Sequence, residues 1–160
     1  MEIRRAELAD WDAIWEIWHA VVAEGTSFVN APDAGKEEGF RSWMQAPFVP
    51  YVAVEGEQIV GSYYLKPNQP GLGSHIANAG FMVAEGQSGK GIGRTMGLHA
   101  LEEARRTGFQ AMQFNFVVST NTRAVALWQS LGFSIIGTVP QAYRHRMLGL
   151  VDIHIMHRFL

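Results

Sequence analysis

The chain has 160 residues, a length suited to one domain with a sizeable core, and we expect a single domain over residues 1–160. It is 48% hydrophobic and 18% charged, which predicts a folded rather than a disordered protein. The net charge is −2, without a long run of one sign, which argues against a nucleic-acid-binding surface.

The composition also excludes some chemistry and suggests a location. There is no cysteine, so disulfides, thiolate metal ligands and a cysteine nucleophile are all excluded. The N-terminal sequence MEIRRAELAD is too charged for a signal peptide, and no apolar run is long enough to span a membrane. We therefore expect a soluble cytoplasmic protein that does not act at a membrane.

The N-terminal part of the chain predicts a short strand and two helices. Residues 1–5 form the strand, and Asp10 caps the first helix. The buried face of that helix is marked by large apolar residues at helical spacing: Trp11, Ile14, Trp15, Trp18 and Val22. Residues 25–35 form a loop with Pro32 and two glycines, and residues 36–44 form a second, weaker helix.

A hairpin and a further strand are predicted next. Residues 51–54 and 58–65 are strand-like and meet at a turn formed by Glu55, Gly56 and Glu57. Residues 67–74 contain two prolines and two glycines, which indicates an exposed loop. Ile76–Val83 is the strand that follows.

The C-terminal half alternates helices and strands. One helix runs to about Arg106, residues 112–118 form a strand, and a second helix ends at Gly132. Residues 133–139 and 151–159 are the last strands. Because this order mixes hairpins with crossover helices, it predicts an α/β (α+β) fold in which helices cover a mixed central sheet.

A glycine-rich stretch, QSGKGIG at residues 87–93, lies between a predicted strand and a predicted helix. Its glycines allow sharp turns that expose N–H groups at a helix start, where the dipole favours an anion. Lys90 and Arg94 add positive charge. Phosphate or pyrophosphate is one interpretation and an ordinary turn is the other, and the stretch lacks the residues of a Walker loop or a dinucleotide site.

Two motifs resemble the signatures of the GCN5-related N-acetyltransferases. The glycine stretch resembles the pyrophosphate loop Arg/Gln-x-x-Gly-x-Gly/Ala, except that Ser88 replaces the Arg or Gln. Residues 121–133 resemble Asn-x-x-Ala-x-x-Leu-Tyr-x-x-x-Gly-Phe, with Trp128 in place of the Tyr. The resemblance implies a single GNAT-like domain whose mixed sheet of about six to seven strands is splayed between its two middle strands, with helices on both faces.

The resemblance also implies where acetyl-CoA would bind. The backbone of Phe81, Met82 and Val83 would pair with the pantetheine arm, and an N–H near Met82 or Val83 would stabilise negative charge on the thioester oxygen. Asn121 would reach the same arm, or would serve only as a helix cap. The residues expected to hold the pyrophosphate are Ser88, Gly89, Lys90, Gly91, Ile92, Gly93 and Arg94.

Polar amides lie on strands that should be apolar: Asn78 on one strand, Gln113 and Asn115 on the other. A buried amide without a partner costs about 1–3 kcal/mol, so these side chains are either bonded internally or directed at a ligand. The set Asn78, Asn115 and Asn121 is similar to that of fungal acetyltransferases acting on azetidine-2-carboxylate. That resemblance implies that Asn78 and Asn115 are catalytic residues holding an amino-acid acceptor. The tail at residues 137–156 resembles bacterial acetyltransferases of phosphinothricin-like amino acids.

The implied reaction is direct transfer of an acetyl group from acetyl-CoA to the amine of a small amino acid or analogue. Residues 76–83 contain no carboxylate to act as base, so we expect a water held by asparagine in that role. Trp128 cannot be the acid and is expected to pack in the core, which leaves Tyr143 or solvent. The alternatives are protein or peptide N-terminal acetylation and a catalytically weak acyl-CoA sensor.

We expect no metal, because His154 and His157 on one strand would point to opposite faces. The expected partners are a small-molecule amine and, as the resemblance implies, a second copy in a homodimer. Residues 25–30 could cover the acceptor, since they follow the helix rich in tryptophan.

Overall fold

The computed structural model describes residues 1–160 as one seven-stranded mixed sheet with four α-helices. The strands are β1 (Glu2–Arg5), β2 (Val49–Glu55), β3 (Gln58–Pro67), β4 (Ile76–Val83), β5 (Ala111–Val118), β6 (Ser134–His145) and β7 (Gly149–Phe159). The helices are α1 (Trp11–Glu24), α2 (Lys36–Trp43), α3 (Ile92–Arg106) and α4 (Thr122–Ser130). No helix of the chain is long and apolar enough to cross a membrane.

The strand order is β1-β2-β3-β4-β5-β7-β6, and only β4 and β5 are parallel neighbours. These two strands pair only where Ile76 faces Ala111 and Ala77 faces Met112. Beyond these pairs they separate, so the middle of the sheet is open on the side where β4 ends. The predicted fold class, with its splayed middle strands, is confirmed.

Helices cover both faces of the sheet, as predicted. Helices α1 and α2 form one hydrophobic core with one face, and α3 and α4 form a second core with the other face. On β2, Val52 packs with α1 and α2, whereas Tyr51 and Ala53 pack with α3 and α4. Successive strand residues point to opposite faces, so this alternation assigns one core to each face. The predicted apolar stripe of α1 contributes Ile14, Trp18 and Val22 to the core beside α2, and Trp15 stacks on Trp18 from a half-buried position.

Two local predictions were wrong in detail. β6 continues to His145, beyond the predicted end at residue 139, although it contains Pro140. A proline is tolerated there because β6 is the edge strand and its register with β7 shifts between Val139 and Tyr143. Asp10 does not cap α1 with its side chain. Its carboxylate accepts from the Glu7 N–H at 2.7 Å and from Arg4, whose guanidinium lowers the pKa of Asp10.

Candidate active site

The opening between β4 and β5 contains a cavity of about 310 Å³ that is lined from both faces of the sheet. The face of α3 and α4 contributes Ala79, Phe81, Phe114, Asn121, Ala124 and Trp128. The opposite side contributes Tyr64, Asn78 and Gly80, together with Ser27, Phe28 and Val29 of the loop after α1. β5 adds Asn115, Phe116, Val117 and Val118, near a break in its register with β7. The splayed strands therefore form a passage through the sheet.

A second cavity, of about 350 Å³, lies where the N-termini of α3 and α4 come together. It is lined by Val83, Gln87, Ser88, Gly89, Gly91, Ile92, Gly93, Arg94, Arg123, Ala124 and Leu127. None of the N–H groups of residues 88–94 donates a hydrogen bond within the chain. Gly89 and Gly91 have φ of +81° and +78°, a conformation that glycine adopts without strain. Unpaired N–H groups at a helix start form an anion site.

The charged groups around this second cavity differ from the sequence prediction in two respects. Lys90 does not line the cavity. Its Nζ donates at 2.9 Å to Oε1 of Gln87, which does line it. Arg123, which sequence reasoning missed, does line it, and its Nη2 would lie 3.9 Å from a Cβ placed on Gly89. Its position two residues after Asn121, in the first turn of α4, was the available signal. Arg94 lines the cavity and donates to Ser130 Oγ at 2.9 Å.

The two cavities meet at Ala124, which lines both. Asn121 caps α4, because its Oδ1 accepts from the Ala124 N–H at 3.4 Å, and its side chain also lines the first cavity. The cap and the ligand interpretations of Asn121 are therefore geometrically compatible. A molecule with a phosphate group at one end and an extended arm would pass Ala124 to reach the opening.

The backbone of β4 faces this path at alternate residues. The N–H of Ala84 donates to the carbonyl of Val60, and that of Asn68 donates to the carbonyl of Ile76, both across the pair of β3 and β4. Because backbone direction alternates along a strand, Phe81 and Val83 direct their N–H and C=O groups at the opening. Met82 directs its backbone at β3 and buries its side chain against α1 and α2. Phe81 and Val83 are thus placed for direct backbone contact.

Amide side chains form a hydrogen-bonded wall at one end of the first cavity. Asn78 is 7% exposed, and its Nδ2 donates to the Gln113 carbonyl at 3.0 Å. Asn115 Nδ2 donates to Asn68 Oδ1 at 2.6 Å, while Asn115 Oδ1 accepts from Gln113 Nε2 at 2.9 Å. Asn78 and Asn115 are therefore both internally bonded and directed at the cavity, which combines the two interpretations of these residues.

Tyr64 is a further cavity residue that sequence reasoning missed. Its ring meets Trp43 and Phe48 edge to face, at centroid distances of 4.9 Å and 4.8 Å. Its hydroxyl donates to Asn78 Oδ1 at 3.4 Å. Burial raises the pKa of Tyr64 to about 12, so the phenol stays protonated at neutral pH and can donate a hydrogen bond.

Residues 25–29, here called the cover segment, close one side of the first cavity. The hairpin of β6 and β7 holds them: Tyr143 Oη donates to the Phe28 carbonyl at 3.0 Å, and the Arg146 N–H donates to the Gly25 carbonyl at 3.0 Å. Tyr143 is buried and does not line the cavity, which disfavours it as the acid and favours solvent, the other alternative. Burial raises its pKa, which further disfavours that role.

Trp128 packs in the core, as its helical spacing predicted, with ring centroids 4.7 Å from those of Phe81 and Phe114. It also lines the first cavity. No carboxylate lines either cavity. No three His, Asp or Glu side chains lie together in a way that could hold a metal ion. The polar groups that line the opening are therefore uncharged: amides, the Tyr64 phenol, the Ser27 hydroxyl and the backbone.

The fold and the two cavities are those expected of an acetyl-CoA-dependent acyltransferase, and comparison with known proteins shows the family of the chain. A sequence profile described as the acetyltransferase (GNAT) family matches residues 11–133, and the chain belongs to this family. The family recognised from the two signatures is thus confirmed. Its acetyltransferases take the acetyl group from acetyl-CoA.

Three similar proteins place the chain within the family. N-acetyltransferase aca1 of Schizosaccharomyces pombe is 41% identical over 61% of this chain and 47% of its own length, so the chain spans about half of that relative. A GCN5-related N-acetyltransferase from Kribbella flavida is 44% identical, with a TM-score of 0.94 over 99% of this chain and 97% of that one. A Salmonella typhimurium L-methionine sulfoximine/L-methionine sulfone acetyltransferase is 28% identical over 88% of this chain and 84% of its own length.

Proposed function

We propose that this chain transfers an acetyl group from acetyl-CoA to the amine of a small amino acid or amino-acid analogue. The observation that carries the proposal is the junction of the two cavities at Ala124. One cavity presents unpaired N–H groups and arginines, and the other leads through the sheet to a wall of amides. This arrangement suits a long phosphorylated donor on one face and a small polar acceptor on the other.

The residues fit coenzyme A along its length. The N–H groups of residues 88–94, with Arg94 and Arg123, would hold the pyrophosphate. The backbone of Phe81 and Val83 would pair with the pantetheine arm, and Asn121 would contact that arm from α4. When bound, acetyl-CoA supplies the acetyl group as a thioester.

The acceptor side would orient the amine and exclude water. Asn78 and Asn115 would hold the amino acid, and the Tyr64 hydroxyl oxygen, whose proton is donated to Asn78 Oδ1, would accept from the amine. An alkyl amine with a pKa of about 10.4 must lose a proton at neutral pH, a cost of roughly 4 kcal/mol. With no carboxylate in the cavity, a water held by the asparagines would accept that proton. A backbone N–H of Phe81 or Val83 would stabilise the negative charge that develops on the acyl oxygen.

The size of the acceptor is argued from the cover segment and from one relative. Ser27, Phe28 and Val29 line the cavity and are tied to the β6–β7 hairpin, which favours a small acceptor over the end of a protein chain. The Salmonella relative carries amino-acid acceptors in its name. A catalytically weak sensor is the second candidate, favoured by the missing carboxylate and by Trp128 at the position of the family's tyrosine.

The test is release of coenzyme A thiol from acetyl-CoA with a panel of small amino acids, their analogues and peptides with a free N-terminus. We expect release with amino acids and analogues. Faster release with peptides would favour the protein acetyltransferase instead, and tight acetyl-CoA binding with no release would favour the sensor.

The same assay tests the asparagines. We expect Asn78→Ala and Asn115→Ala to lower kcat/KM for the acceptor by about tenfold or more, because each removes hydrogen bonds at the amine. Gln129→Ala, an exposed change on α4, is the control. Unchanged rates in both asparagine variants would remove these residues from the mechanism.

The expected homodimer and cytoplasmic location stay predictions. Light scattering on the purified chain measures the first, and cell fractionation measures the second.

A further inference from the structure

One lysine lies beside the amide wall without an internal partner. Lys66 is directly across from Asn78 in the pairing of β3 and β4. It lies between Tyr64, whose hydroxyl bonds Asn78, and Asn68, whose Oδ1 accepts from Asn115. Lys66 does not itself line the cavity, but two residues away on either side the chain contacts an amide that does.

The surroundings of Lys66 are aromatic rather than acidic. Its Nζ lies 5.6 Å from the centroid of the Phe48 ring, and that ring packs against Tyr64. The three ion pairs of the chain are Arg4 with Asp10, Lys36 with Asp12, and Arg106 with Glu103. None involves Lys66, and its Nζ donates no hydrogen bond within the chain.

This isolation is particular to Lys66. The chain has three lysines: Lys36 donates to Asp12 at 2.6 Å, and Lys90 donates to Gln87 at 2.9 Å. Lys66 is half-buried, and burial lowers the pKa of its ammonium. A cation partly removed from water is stabilised by an anion, and the residues lining the neighbouring cavity provide none.

We propose that Lys66 binds the carboxylate of the acceptor, so that the enzyme selects free amino acids over their amides, esters and peptides. The proposal rests on the proposed function and adds a specificity-determining residue to it. An amino acid would then be held at two points, with its amine at Asn78 and Asn115 and its carboxylate at Lys66. The second point excludes a peptide, whose first residue has no free carboxylate.

The test compares L-methionine sulfone and L-azetidine-2-carboxylate, each beside its carboxamide, by thiol release. Wild-type protein, Lys66→Met, Lys66→Arg and the control Lys36→Met are assayed with all four acceptors. Replacing the carboxylate by a carboxamide alters the pKa of the amine equally for every variant. The change between variants in the ratio of kcat/KM for the carboxylate to kcat/KM for the carboxamide therefore measures the effect of Lys66 alone.

We expect wild type and Lys36→Met to prefer the carboxylate by at least about tenfold in kcat/KM, or about 1.4 kcal/mol. Lys66→Met should lose that preference with unchanged activity on the carboxamide, and Lys66→Arg should retain part of it. Equal ratios in wild type and Lys66→Met would overturn the assignment. So would an equal fall with both acceptors, since that is the result of a lysine that only packs on Phe48.

Failure of this assignment differs from failure of the proposed function. Turnover without a carboxylate preference rejects Lys66 alone, whereas no thiol release with any acceptor rejects the acetyl transfer. In the latter case, calorimetry with the same acceptor pairs decides about Lys66. A carboxylate that binds wild type no more tightly than its carboxamide rejects the assignment.

Discussion

Gly80 determines how closely the Tyr64 ring approaches β4. A Cβ at this position would lie 2.5 Å from Tyr64 Cε1 and 2.9 Å from its hydroxyl oxygen. The ring cannot move away easily, because Trp43 and Phe48 both meet it edge to face. Because glycine has only a hydrogen atom as its side chain, the Tyr64 phenol can lie against β4 and contact the Asn78 amide beside the opening in the sheet.

We expect Gly80→Ala to destabilise the fold by about 1–3 kcal/mol, because an extra methyl group overfills a packed contact. The same displacement of Tyr64 should raise KM for the acceptor more than the Kd for acetyl-CoA. Chemical denaturation and thiol-release kinetics measure the two effects. Gly137→Ala is the matched strand control, since its nearest new neighbour is Ile155 Cδ1 at an ordinary 3.9 Å. Equal effects of the two variants would contradict the role of the contact.

At the scale of elements, two helix starts and one strand end meet at a single place. The glycine-rich loop after β4 brings the N-terminus of α3 beside that of α4, and Arg123 in the first turn of α4 approaches Gly89. Both helix dipoles and the free N–H groups of residues 88–94 then favour the same anion.

We expect Arg123→Ala to weaken acetyl-CoA binding by about tenfold or more, since it removes a charge-assisted contact to phosphate. The loss should shrink as salt is raised, because ions screen exposed charges. Isothermal titration calorimetry at low and high salt is the measurement. Arg105→Ala, at the opposite end of α3, serves as the control and should leave affinity unchanged. A salt-independent loss would instead indicate a packing defect.

The sequence predicted elements whose patterns are local, and it failed where distant segments determine the result. Ile76–Val83 was predicted at its observed bounds because an apolar run lies between an exposed loop and glycines. The predicted β6 ended before Pro140, because a proline is accepted within a strand only at the edge of a sheet. Which strand lies at the edge depends on the strand order, and the sequence pattern does not give that order.

The same distinction separates the parts of the site. The glycine loop and the asparagines were found as candidates because a motif and a polar residue within an apolar strand can both be recognised from the sequence alone. Tyr64 and Lys66 were not found, because their positions beside Asn78 follow from the antiparallel pairing of β3 and β4. The contact of the Tyr143 hydroxyl with the backbone of the cover segment was not predictable either, because it depends on where the β6–β7 hairpin lies.

At the scale of the whole molecule, Glu103 links the sheet to the helix layer on one face. Its Oε2 accepts from Tyr51 Oη on β2 at 3.0 Å, and its carboxylate is paired with Arg106 on α3. The Arg106 hydrogen bonds are the main cause that lowers the pKa of Glu103 from 4.5 to about 2. A carboxyl group whose pKa is lower in the folded state than in the unfolded state stabilises the fold when the pH is above the unfolded-state pKa. This stabilisation is lost as the pH falls through the folded-state pKa.

We therefore expect wild-type stability to fall between about pH 4.5 and about pH 2 in part through protonation of Glu103. Glu103→Gln should be less stable at neutral pH and should show a shallower loss across that interval. Urea denaturation at a series of pH values measures this slope. Glu102→Gln, an exposed change one residue away, should keep the wild-type slope. A Glu103→Gln slope equal to that of wild type would contradict the linkage.

An opening in the sheet that is lined from both faces has a kinetic consequence. Donor and acceptor would enter from opposite sides, so neither would have to depart before the other arrives, and the chain has no cysteine to carry the group between them. Initial-rate plots should therefore intersect, as expected for a ternary complex, rather than run parallel as in a ping-pong scheme. Free coenzyme A should compete with its acetylated form while leaving the acceptor's entrance accessible.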